Sequence, residues 1–115
     1  NLDFFRGSWI ADYADAENYL ALFQSGNKAP EGPNYTRFSS PEYDRLYEEA
    51  IACRDDSLRI DLYRRMDSLV TDQAPVVPLY YDMVVRFTPV TVSGLGSNPM
   101  NLLVLKHVQK KTPSG

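Results

Sequence analysis

The 115 residues carry 12 Lys and Arg against 15 Asp and Glu, a net charge of -3, with 43% hydrophobic and 23% charged residues. This is an ordinary globular composition with enough chain for one core; it lacks the clustered basic face of a nucleic-acid binder and any run near the ~18 apolar residues of a membrane span. Cys53 is the single cysteine and His107 the single histidine, far apart in sequence, so neither an internal disulfide nor a local thiol–imidazole pair is offered.

Leu2 to Ile10 is aromatic and apolar and suits a strand. The chain thus begins without Met and already within an element, which leads us to expect a piece of a longer polypeptide whose targeting segment lies upstream. An acidic stretch follows, with Asp12, Asp15 and Glu17. Asp15 is placed to cap a short helix running through Tyr19, Leu20, Leu22 and Phe23, and Glu17 to sit in its first turn. Asn27 to Phe38 contains Pro30, Gly32 and Pro33 and reads as a loop. Within it Asn34-Tyr35-Thr36 has the form of a glycosylation acceptor, a weak tripeptide signal.

Ser40-Pro41-Glu42 is a strong helix start: a hydroxyl cap, proline in the first turn, then an acid. Tyr43, Leu46, Tyr47, Ala50 and Ile51 then recur at helical spacing as one apolar stripe. Asp55 or Asp56 caps a third helix, whose buried side is expected to hold Leu58, Leu62, Met66, Leu69 and Val70, ending at Gln73-Ala74-Pro75. Val76–Tyr81 and Val84–Thr88 read as strands, with Pro78 suggesting an edge; Asn101–Val108 suits a last short strand. Gly94-Leu95-Gly96-Ser97-Asn98 lacks the third glycine and the helix of a phosphate loop and reads as a turn. The basic tail around Lys106, Lys110 and Lys111 reads as a solvated end.

The order is one strand, three helices, then two or three strands, an α/β arrangement with helices covering a sheet. Two or three strands form a poor sheet alone, so their edges call for partners.

Two local features could carry function. The carboxylates of Asp12, Asp15 and Glu17 could serve acid–base work or a hard cation, although the plainer reading is capping. Asp12 differs, because it falls after a strand and before the cap, where open sheets bind ligands. Trp9 sits beside that turn, and an indole can wall an apolar pocket. No nucleophile elbow, HExxH, CxxC or Walker loop is present.

These residues resemble a known family. Gly7-Ser8-Trp9-Ile10-Ala11-Asp12-Tyr13-Ala14-Asp15-Ala16-Glu17-Asn18-Tyr19-Leu20 is similar to the "G-W-x-A-D-Y-x-D" stretch of the family 5 extracellular solute-binding proteins, which include oligopeptide- and dipeptide-binding components of ABC transporters. Asn34-Tyr35…Phe38-Ser39-Ser40-Pro41-Glu42-Tyr43-Asp44-Arg45-Leu46, and Arg59…Leu62-Tyr63 followed by Asp72-Gln73-Ala74-Pro75-Val76-Val77-Pro78-Leu79-Tyr80-Tyr81, resemble two further elements, in matching order.

The resemblance implies the C-terminal part of a two-lobed periplasmic-binding-protein type II fold, with 1–81 as lobe core and 82–115 as closing strands and tail. It implies peptide binding for import, by closure of the lobes around the ligand, with no catalysis, cofactor or resident metal. Asp12 would accept the ligand's α-ammonium group, Trp9 would line a side-chain pocket, and Arg6 would approach the ligand, although dipeptide binders lack that arginine. Ile10 stands where some oligopeptide binders place a cysteine, so that bridge is absent. The implied partners are a peptide, the membrane permease and the remainder of the same polypeptide, in a periplasmic or lipid-anchored extracytoplasmic setting. Isolated, the fragment is expected to bind peptide poorly and to dimerise through exposed edges. The alternatives are the same fold carrying a nickel chelate, haem, glutathione or an oligosaccharide and, more remotely, a small metal-dependent hydrolase built on the three acids.

Overall fold

The computed structural model describes residues 4–98 and 100–111. Its elements are α1 (Glu17–Leu20), two 3-10 turns (Ala21–Phe23 and Ser25–Asn27), α2 (Pro41–Ala52), α3 (Asp56–Gln73), β1 (Val92–Ser93) and β2 (Gln109–Lys110). The chain divides into two compact units, Asn1–Pro78 and Leu79–Gly115.

The first unit is built on α2 and α3, and both begin where the local chemistry directs. Ser40 holds extended backbone and its side chain accepts from the Tyr43 amide, with Pro41 opening the helix. Asp55 accepts from the amides of Ser57 and Leu58. Each cap satisfies donors that the first helical turn leaves without partners. Helix α3 ends at Ala74, which adopts the left-handed conformation (φ 47°) and donates its N–H to the Val70 carbonyl.

The expected stripes meet between the helices, but each is narrower than its sequence period suggests. Tyr43, Leu46 and Ala50 from α2 pack with Leu62, Met66 and Val70 from α3, joined by Leu20 and Phe38. Tyr47, Cys53, Tyr63 and Leu69 border this core, whereas Ile51 and Leu58 remain exposed at the elbow between the two helices. Tyr43 is fully buried, and its hydroxyl donates to the Leu20 carbonyl at 2.7 Å. Its ring meets Phe38 and Phe23 edge-on, with centroids 5.6 and 6.3 Å away, a geometry that places positive ring edges on negative faces.

The loop after α1 is organised by one fully buried amide. Asn34 Nδ2 donates to the carbonyls of Gln24 and Phe38, and its Oδ1 accepts from the Phe38 N–H and the Thr36 hydroxyl. Gly32 approaches so closely that a Cβ would lie 2.4 Å from the Asn27 carbonyl oxygen. The Asn34-Tyr35-Thr36 tripeptide therefore presents no accessible amide for glycosylation: Asn34 is 0% exposed.

The second unit holds a minimal antiparallel pair, Val92 opposite Lys110 and Ser93 opposite Gln109. Gly94 follows at φ 80°, where a Cβ would meet the His107 carbonyl oxygen at 2.1 Å, so this turn requires glycine.

Helices with a small sheet are compatible with the α/β class, but most expected strands are corrected. Residues 4–10 of the expected Leu2–Ile10 strand form no ladder, Leu2 itself lying outside the described residues. Neither Val76–Tyr81 nor Val84–Thr88 pairs, and 101–108 leads into β2 without being part of a ladder. The reason is physical: an extended segment becomes a strand only when a neighbour takes its backbone N–H and C=O groups. These segments have the apolar content of strands yet stay open, with Tyr81 94% and Phe87 95% exposed.

Candidate functional site

The site expected from the sequence lies in the turn that leads into α1. Asn18, only 5% exposed, is its centre. The Asn18 Oδ1 accepts from the Trp9 indole N–H at 3.2 Å and from the Asp12 backbone N–H at 3.2 Å. The structure thus brings Trp9 and Asp12 together through a third residue. Trp9 is 36% exposed and the Asp12 side chain lies in the open. Arg6 lies in the same exposed stretch, three residues before Trp9, and is itself engaged.

The three neighbouring acids part company. Asp15 Oδ1 accepts from the Glu17 N–H at 2.9 Å and from the Tyr63 hydroxyl at 3.0 Å, while Oδ2 lies 3.7 Å from Arg59 Nη2. The expected cap is corrected by one position: α1 begins at Glu17 with Ala16 as its cap residue and no side-chain cap bond, and Asp15, one residue earlier, reaches the first helical amide through a local i,i+2 contact. Glu17 accepts from the hydroxyls of both Tyr13 and Tyr47. Among the described residues, none pairs with the Asp12 carboxylate.

The tyrosines record this electrostatics. Burial, then the hydrogen bond to Asp15, pushes Tyr63 up to about 12. Burial and then the bond to Glu17 raise Tyr47 well above the ordinary phenol range. Tyr13, at the surface, is raised first by its bond to Glu17. In each case ionising the phenol would set a second negative charge against a carboxylate and remove the donor that the carboxylate uses.

The acid-cluster chemistry considered above therefore has little to work with. Asp15 and Glu17 are committed to tyrosines and Arg59, and among the described residues no three His, Cys, Asp or Glu side chains converge on a metal position. Cys53 closes α2, half-buried, with its thiol 3.4 Å from the Asp55 carbonyl.

What remains is a carboxylate on a backbone pinned to a buried amide, beside an indole pinned to the same atom. Such a pair can receive a cationic head on the carboxylate and apolar surface on the ring. Sequence reasoning missed Asn18, Arg59 and the bracing roles of Tyr47 and Tyr63. A signal for Asn18 was present: it shares a helical face with Ala21 and Leu22, and a polar amide within an apolar stripe is a candidate for a buried bonding hub.

No family model matches the chain. Curated proteins do. The chain is 31% identical over 107 residues to the dipeptide-binding protein DppE of Bacillus subtilis, covering 93% of this chain and 19% of that protein. It is 28% identical to the periplasmic oligopeptide-binding protein OppA of Salmonella typhimurium, covering 91% of this chain and 20% of that protein. It is also 28% identical to the probable deoxycholate-binding periplasmic protein YgiS of Escherichia coli, covering 92% of this chain and 19% of that protein.

The likeness carried by the three sequence elements thus extends over most of the chain, consistent with a piece of a family 5 extracellular solute-binding protein. It spans about a fifth of the length of the curated relatives it matches.

Proposed function

We propose that this chain forms part of the ligand-binding wall of a peptide-binding protein serving an ABC importer outside the cytoplasm, and that it acts by binding, without catalysis. One observation carries the reading: of the acids at 12, 15 and 17, only Asp12 keeps its carboxylate free of described partners, next to a half-open indole. A carboxylate so placed receives the α-ammonium of a peptide in a charge-assisted hydrogen bond worth about 1.5–3 kcal/mol. Trp9 lies against the first side chains of the ligand, and Arg6 stands further along the same segment.

The names of the dipeptide- and oligopeptide-binding relatives support this cargo. A bile-acid ligand, as the name of the deoxycholate-binding relative suggests for that protein, would bring its own anion toward Asp12 and be repelled. The rest of the polypeptide supplies the second lobe and the strands that pair with the open apolar segments. Closure of the two lobes removes water from the Asp12–ammonium pair and presents the closed surface to the permease.

Calorimetric titration of the polypeptide containing this chain with a mixed peptide pool tests the proposal. Binding is expected for free-amine peptides and is expected to weaken strongly for the same pool N-acetylated. Equal binding of the two pools overturns it.

A further inference from the structure

We infer that Asn18 is the positioning residue of this site, holding the Asp12 carboxylate and the Trp9 indole in the register that recognises a ligand's terminal ammonium group; the inference rests on the peptide-binding reading above. The supporting geometry is local. One buried oxygen, Asn18 Oδ1, receives both the Trp9 indole N–H and the Asp12 amide N–H, each at 3.2 Å. Both partners are donors, so only an acceptor can stand at this position. The segment that carries Trp9 and Asp12 belongs to no ladder, and their link to the buried amide sets the direction in which each side chain leaves the backbone.

The Asn18 position is in turn anchored. It lies in α1 beside Leu20 of the core, whose carbonyl receives the Tyr43 hydroxyl at 2.7 Å. The hydroxyl of Tyr43 on α2 thus holds the short helix that carries Asn18. Loss of the Asn18 acceptor leaves two part-buried donors short of their partner, and the turn is free to move as water takes the place of the amide oxygen. Asp12 would then retain its charge but lose its aim.

The experiment uses the polypeptide containing this chain, equilibrium dialysis, and an equimolar mixture of a tripeptide library and its N-acetylated counterpart. The ratio of free-amine to acetylated peptide retained is read by mass spectrometry, and unfolded protein cancels from that ratio. The wild type is expected to favour free amines by about tenfold or more, and Asp12→Asn to lose that preference. Asn18→Leu, of similar size without the acceptor, is expected to lose most of it as well, and Asn18→Asp, which keeps the acceptor, to retain it. The double variant Asp12→Asn/Asn18→Leu is expected to fall no further than Asp12→Asn alone, because coupled residues are not additive. In parallel, the indole N–H resonance of Trp9, assigned with Trp9→Phe, is expected to shift in Asn18→Leu.

If Asp12→Asn lowers the ratio while Asn18→Leu leaves it unchanged, the positioning role is overturned and the peptide reading stands. If Asp12→Asn itself leaves the ratio unchanged, the peptide reading is overturned and this inference with it.

Discussion

The Tyr63 hydroxyl donates to the Asp15 carboxylate at 3.0 Å, tying α3 to the turn that carries Trp9 and Asp12. Because the two residues lie 48 positions apart, the contact exists only once α3 has packed. It takes one acid of the turn out of ligand chemistry and gives the turn a fixed point.

That contact has a pH signature. Tyr63 is raised from 10.0 to about 12 in the folded chain, so its contribution is whole below pH 10 and is lost as pH climbs toward 12. The unfolded chain releases the phenolic proton first, and stability falls with rising pH across that interval. Tyrosinate absorbance and circular dichroism followed together check this: Tyr63→Phe is expected to show a shallower alkaline decline than the wild type, and an identical slope would contradict it.

Asp12 and Asp15 are three residues apart yet are expected to fail differently. Asp12→Asn should reduce affinity for free-amine peptides by about 2–5 kcal/mol, the range for leaving a charge without its partner, while scarcely changing the melting temperature. Asp15→Asn should lower the melting temperature, because it weakens the bonds to Tyr63 and Arg59. Calorimetry and thermal denaturation of both variants separate the two roles.

Met66 is fully buried at the centre of the α2–α3 contact. Met66→Ala is expected to destabilise by about 2–5 kcal/mol through lost burial and a cavity. Ile60→Ala, on the same helix but 48% exposed, is expected to stay within about 1 kcal/mol. Urea unfolding of the two variants gives the comparison.

Asp55 accepts from two amides at the start of α3, so Asp55→Ala should cost about 1 kcal/mol and Asp55→Asn a fraction of that. Chemical denaturation measures both. Equal losses would mean that charge rather than hydrogen bonding dominates the cap.

Tyr81, Met83, Phe87 and Val90 stand almost fully exposed on unpaired backbone. Expressed by itself, the chain is therefore expected to self-associate. Light scattering across a dilution series checks this, and Tyr81→Lys with Phe87→Lys should shift the distribution toward monomer.

Much of this protein follows from short-range chemistry and was legible residue by residue. Ser40-Pro41 and Asp55 announce the starts of α2 and α3, and the period of Tyr43, Leu46 and Ala50 announces the face that α2 buries, because caps and helical periods act within one or two turns. Trp9 and Asp12 were legible as a pair through the string that surrounds them. What only the tertiary structure decided is which acid is left without a partner among the described residues. Asp15 and Glu17 are claimed by Tyr63, Arg59 and Tyr47, groups that reach the turn only after two helices pack against it. The same distinction governs the apolar runs at 76–88: their composition makes them ready to pair, but pairing is a property of a neighbour, and a ladder forms only where a second backbone lies within hydrogen-bond reach.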